Sequence, residues 1–83
     1  MRKPPIMTKN NPSILECAIV DLVGEALYRE SPLLHASSLF EYHGRTRNTL
    51  THKGYVRYTD PTESVITITS KALGVAMDIA RFH

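Results

Sequence analysis

The sequence predicts one small α+β domain, mostly α, in the order helix, helix, helix, strand, strand, helix. Three observations carry that prediction. A capping box, Ser13-Ile14-Leu15-Glu16, opens a run whose apolar residues recur at helical spacing. Two β-branched and aromatic stretches, Tyr55–Thr59 and Val65–Thr69, alternate with period two around the turn-forming segment Asp60-Pro61-Thr62-Glu63-Ser64. From Ser70 onward the helical period returns. With 83 residues, 42% hydrophobic and 22% charged, the chain has room for one domain. Its apolar content is too high, and its net charge of +2 too low, for a disordered chain. A domain this small buries only roughly 60–65% of its unfolded surface, so a further contact such as dimerisation would stabilise it.

Residues 1–12 read as a flexible tail. Pro4, Pro5 and Pro12 forbid regular helix, and Lys9-Asn10-Asn11 offers little to bury. With Arg2, Lys3 and Lys9 it is either a solvated end or a cationic arm for an anionic partner. The folded domain is expected over 13–83. Its first helix runs 14–29, with apolar residues at 14, 15, 18, 19, 22, 23, 26 and 27, and Pro32 stops it. A second stripe, Cys17, Val20, Gly24 and Tyr28, recurs on the opposite side. A helix apolar nearly all round is buried on both sides, here against another helix of the chain or against a second copy. Leu33–Tyr42 reads as a shorter second helix with Leu34, Leu39, Phe40 and Tyr42 as its apolar set, started near Ser37-Ser38 and ended by Gly44. Residues 45–53 form a polar third helix. Leu50 is its one clear core residue and Gly54 its C-terminal cap. After the hairpin, Ser70–Arg81 is the last helix, capped by Thr69 or Ser70. Its apolar row is Leu73, Ala76, Met77 and Ala80, with Val75 and Ile79 beside it. Homodimer contacts are expected from Cys17, Val20, Gly24 and Tyr28 and from Leu73, Met77 and Ala80.

Several function classes fall away. The single cysteine, Cys17, cannot form an internal disulfide and reads as a small packing residue. No Cys and His spacing matches a zinc site, and neither metal nor cofactor is expected. Arg2 and Lys3 are followed by Pro4-Pro5 rather than by an apolar core, which is no signal peptide. No apolar run approaches the ~18 residues of a membrane span. Cytoplasm is the expected location. His35, His43, His52 and His83 have no spacing that recommends catalysis, so the chain is not expected to be an enzyme.

Leu50-Thr51-His52-Lys53-Gly54-Tyr55-Val56, then a hairpin, then Ile66-Thr67-Ile68-Thr69-Ser70-Lys71, resembles one family pattern. It is similar to winged-helix (winged helix-turn-helix) transcriptional regulators of the MarR/PadR kind. There a recognition helix ends in Leu-x-x-x-Gly-(Leu/Tyr)-Val, and a β-wing leads through Leu/Ile-Thr-x-(Lys/Glu)-Gly to a last helix. The likeness covers residues 46–81. It implies three helices, a two-stranded wing and a C-terminal helix, with the third helix in the DNA major groove. Three features depart from the pattern. The segment before the third helix is compressed, Arg47 stands where the family places an apolar residue, and Ala72 stands where it has Gly.

The residue chemistry agrees with this implication. Arg45 and Arg47 suit guanine O6/N7 or phosphate, and Asn48 suits adenine N6/N7. Thr46, Thr49, Thr51, His52 and Lys53 suit phosphate or sugar. Between residues 42 and 59 lie Arg45, Arg47, Lys53 and Arg57, and no acid. The same residues also suit a solvated basic face. Asp60 and Glu63 at the wing tip argue against entry into the minor groove, whose surroundings are negative. The leading expectation is thus a small repressor-like regulator, a homodimer on double-stranded DNA with half-sites ~34 Å apart. The alternative is a winged-helix interaction module or small inhibitor that binds a protein through the wing and third helix.

Overall fold

The computed structural model describes residues 13–82. The tail read at 1–12 lies outside the described residues. The elements are α1 (Ile14–Arg29), β1 (Leu33–His35), a 3-10 helix η1 (Ala36–Glu41), α2 (Gly44–His52), β2 (Val56–Tyr58), β3 (Val65–Ile68) and α3 (Ser70–Phe82). The molecule is a small α+β fold, mostly helical, with one antiparallel three-stranded sheet in the order β1-β3-β2.

The capping box of α1 forms as expected. Ser13 Oγ accepts from the Glu16 N–H at 3.1 Å, and Glu16 Oε1 accepts from the Ser13 N–H at 2.9 Å. Ala18, Ile19, Leu22, Val23 and Ala26 are the buried face. At the other end the Ser31 N–H reaches back to the Ala26 carbonyl at 3.0 Å. Glu30 takes the left-handed conformation there, φ 55°, a place usually filled by glycine.

The expected second helix over Leu33–Tyr42 is not one helix. Its first three residues are strand β1, and only Ala36–Glu41 is helical, as a 3-10 turn. Three causes are visible. Pro32 holds the chain extended on entry, and its carbonyl accepts the Ile68 N–H at 2.9 Å, so the proline starts the strand without breaking the ladder. Leu34 pairs with Ile66 across the sheet, and both are buried. Ser37 and Ser38 are weak helix formers, and the His35 ring caps the short turn by accepting the Ser37 N–H at 3.1 Å. Gly44 does not end this element; it is the first residue of α2. The β2–β3 hairpin therefore belongs to a three-stranded sheet rather than standing as an isolated pair.

Leu34, Val56, Ile66 and Ile68 on the inner face of the sheet join the α1 face, Ala36, Leu39, Leu50 and Ala72 in one core. The apolar set of the last helix divides in two, and Ala72, which is not counted in it, joins the buried part. Ala72 is buried, and Val75 and Ala76 pack partly against the core, while Leu73, Met77 and Ala80 are exposed. The second stripe of α1, Cys17, Val20, Gly24 and Tyr28, is also exposed. Among the described residues, no helix of the same chain covers it.

Candidate nucleic-acid interface

Nine residues make α2, and one of them is buried: Leu50, fully enclosed. Gly54 follows with φ 78°, which turns the chain sharply toward β2, as its predicted cap role requires. The Tyr55 N–H then bonds back to the Leu50 carbonyl at 2.9 Å. The helix is fixed to the body by this leucine and by its C-terminal end. There Thr69, just before α3, sets its hydroxyl 2.6 Å from the Gly54 carbonyl and 3.0 Å from that of Tyr55. Lys71, in the first turn of α3, donates from Nζ to the Lys53 carbonyl at 2.6 Å and lies 4.8 Å from the Tyr55 ring centre. A cation at the C-terminus of α2 also faces the negative end of that helix's dipole.

The predicted contact residues divide by orientation. Arg45, Asn48 and His52 are exposed at positions i, i+3 and i+7, one stripe along α2, and Lys53 is exposed at its end. Arg57 is exposed on β2, opposite Thr67 of β3. Thr46 and Thr49 are half-buried beside the stripe. The Thr49 hydroxyl donates to the Arg45 carbonyl at 2.9 Å, and that of Thr51 bonds the Asn48 and Arg47 carbonyls at 3.0 and 3.2 Å. Their hydrogens are thus held within the helix, and the phosphate-donor role read for Thr49 and Thr51 requires a change of rotamer. Arg47 departs further. Half-buried, it sets its guanidinium 5.8 Å from the ring centre of Phe40 on η1, a cation–π contact that holds the side chain against the body.

Electrostatics draw a boundary at the start of α2. His43 precedes the helix without a side-chain cap bond, and the first turn holds no acid. The first-turn N–H groups lack a side-chain partner from that residue. Among the described residues, none of Arg45, Arg47, Lys53, Arg57 and Lys71 is in an ion pair. One residue before His43 the character reverses. Tyr42 has its phenol pushed up to about 12, by burial first and then by the carboxylates of Asp21, Glu41 and Glu25. Glu25 also accepts from Ser38 Oγ at 3.1 Å and from Arg29 Nε at 3.3 Å, which ties η1 to the acidic side of α1.

At the tip of the β2–β3 hairpin Asp60 bonds back onto its own turn. Its carboxylate accepts the hydroxyl of Thr62 and the N–H groups of Ser64 and Val65, the latter two at 3.0 Å. These bonds, led by that of Thr62, hold its carboxyl below the usual carboxylate range. Asp60 is therefore committed to the turn, and Glu63 is the acid presented outward. Sequence reasoning missed Lys71 and the Phe40 platform. A cation in the first turn of α3 opposes that helix's own dipole, and this was the available signal for Lys71.

Among the described residues no group of His, Cys, Asp and Glu is arranged to hold a metal ion, and no helix is long and apolar enough to cross a membrane. No protein-family model, curated protein or solved structure matches the chain.

Proposed function

We propose that the chain is a small DNA-binding regulator, repressor-like and non-catalytic, that presents α2 to the major groove of double-stranded DNA. The element order is compatible with a winged-helix layout. The observation that carries the reading is the exposed stripe of α2. Arg45, Asn48, His52 and Lys53 project from a helix with no carboxylate partner for its cations among the described residues. Such a stripe combines groups that read base edges with groups that contact phosphate. Lys71 and Arg57 extend the cationic surface beyond the helix end. The inward turn of Asp60 leaves Glu63 at the tip, which supports a wing held clear of the minor groove. A cytoplasmic location goes with this reading.

Fluorescence anisotropy on a labelled duplex tests it at ~50 mM salt, where phosphate contacts are strongest. Four contacts per protomer give a log–log salt slope of about −3.6. Arg45→Ala with Lys53→Ala lowers affinity and flattens that slope. Absence of binding to any duplex, together with a stoichiometric protein partner in a pull-down, would move the reading to the protein-binding alternative.

A further inference from the structure

The outer stripe of α1 remains open. Tyr28 is 89% exposed, Leu27 68% and Val20 38%. On α3, Met77 is 64% exposed and Leu73 39%. The two sets meet, because Leu27 and Leu73 line one open pocket of about 330 Å³ together with Ala26, Pro32 and Ile68. Side chains of these sizes and exposures present on the order of 600 Å² of apolar surface. That is at the upper end of what a monomer leaves open and near the ~800 Å² each partner gives to a standard interface.

The order of residues along the stripe narrows the occupant. Leu27, read from sequence on the other apolar side, is exposed beside this stripe, and Cys17, Val20, Gly24 and Leu27 are spaced three, four and three residues apart, the seam of a packed helix pair. Consider two such helices, antiparallel, about a two-fold axis midway between Val20 and Gly24. Each Val20 then meets Gly24 of the other copy, and each Leu27 meets Cys17. A large residue faces a small one in every layer, the self-complementarity of an isologous contact. Gly24 has no reason within its own fold, since an added Cβ would meet nothing within 4 Å and alanine favours a helix more. Gly74, next to Leu73 on α3, is in the same condition.

We infer that this face is closed by a second copy of the chain, α1 packed antiparallel on α1, with Leu73 and Met77 bordering the seam. The large–small order is matched by the chain itself, which favours a copy over a foreign protein. The inference stands on α1 and α3 and does not require that α2 bind DNA.

Sedimentation equilibrium of the full chain, over ~10–200 μM, is the test. The expected mass is twice the 9.3 kDa of one chain. Leu27→Glu and Met77→Glu each weaken association by at least about tenfold, with far-UV circular dichroism unchanged because both side chains are exposed. Gly24→Leu also weakens it, although leucine favours the helix, so its loss of association reports the contact rather than the fold. A monomer throughout the range overturns the inference, as does a dimer that survives all three substitutions. A dimer that binds no duplex supports it while removing the DNA reading.

Discussion

Two helices of this molecule are opposite in kind. α1 is apolar on two sides and buries one of them through five residues, Ala18, Ile19, Leu22, Val23 and Ala26. α2 is polar on nearly every side and buries Leu50 alone. Each leaves a different kind of surface exposed. Apolar residues at a three-four spacing call for another helix. Arginine, asparagine, histidine and lysine suit water or, as proposed above, a polar and anionic neighbour. The border lies near Tyr42, where the carboxylates of α1 and Glu41 give way to the cations that follow.

The largest expected effect breaks the comparison at its weaker member. Leu50→Ala removes the one buried side chain of α2 from a closed site, at a cost of about 2–5 kcal/mol. A domain of this size has only ~4–12 kcal/mol in total. Urea denaturation followed by circular dichroism should show a midpoint shifted far down or lost. Near-wild-type stability would mean that α2 is not held by Leu50. A middle-sized effect sharpens the comparison at the end of the same helix. Lys71→Met keeps the aliphatic stem on Tyr55 but removes both the cation–π contact and the bond to the Lys53 carbonyl. The cost should be about 0.5–1.5 kcal/mol, because the site is exposed. A ΔΔG near zero would reduce Lys71 to a solvated charge.

Much of this was legible in the sequence, and what was not has a common cause. The capping box, α1, the polar α2 with Leu50 and Gly54, and the hairpin all rest on local signals, and all are present. β1 is not local. Leu33-Leu34-His35 is a strand only because β3, some thirty residues later, offers an open edge and Pro32 leads into it. The burial of Ala72 on α3 was missed for a related reason. Two neighbouring rows fit the helical period, and Leu73 and Met77 outrank Ala72 in hydrophobicity, yet Ala72 is the residue that faces the core. In the site, Arg45, Asn48 and His52 were named by side-chain chemistry together with six neighbours, and their sharing of one exposed stripe comes from the fold. The diversion of Arg47 onto Phe40 and the arrival of Lys71 at the end of α2 depend on tertiary contacts that no local pattern encodes.

The smallest effect concerns the β2–β3 turn, where an acid at first sight opposes a cationic neighbour. Asp60 gathers the Thr62 hydroxyl and the Ser64 and Val65 N–H groups within its own turn. A carboxylate whose folded pKa lies below its unfolded one contributes order that is fully present above the unfolded value and lost as pH falls through the folded value. The turn should therefore loosen only in acid, below pH ~4, while α1 and α2 hold their ends unchanged near neutrality. Amide hydrogen exchange resolves this residue by residue. In Asp60→Ala at neutral pH, the Ser64 and Val65 amides should exchange faster, while Leu50 and Ile19 keep their protection. Asp60→Asn, which retains one acceptor oxygen, should fall between the two. Equal exchange at Ser64 and Val65 in all three proteins would show that Asp60 does not hold the turn, and would return its charge to the list of groups free to repel a phosphate.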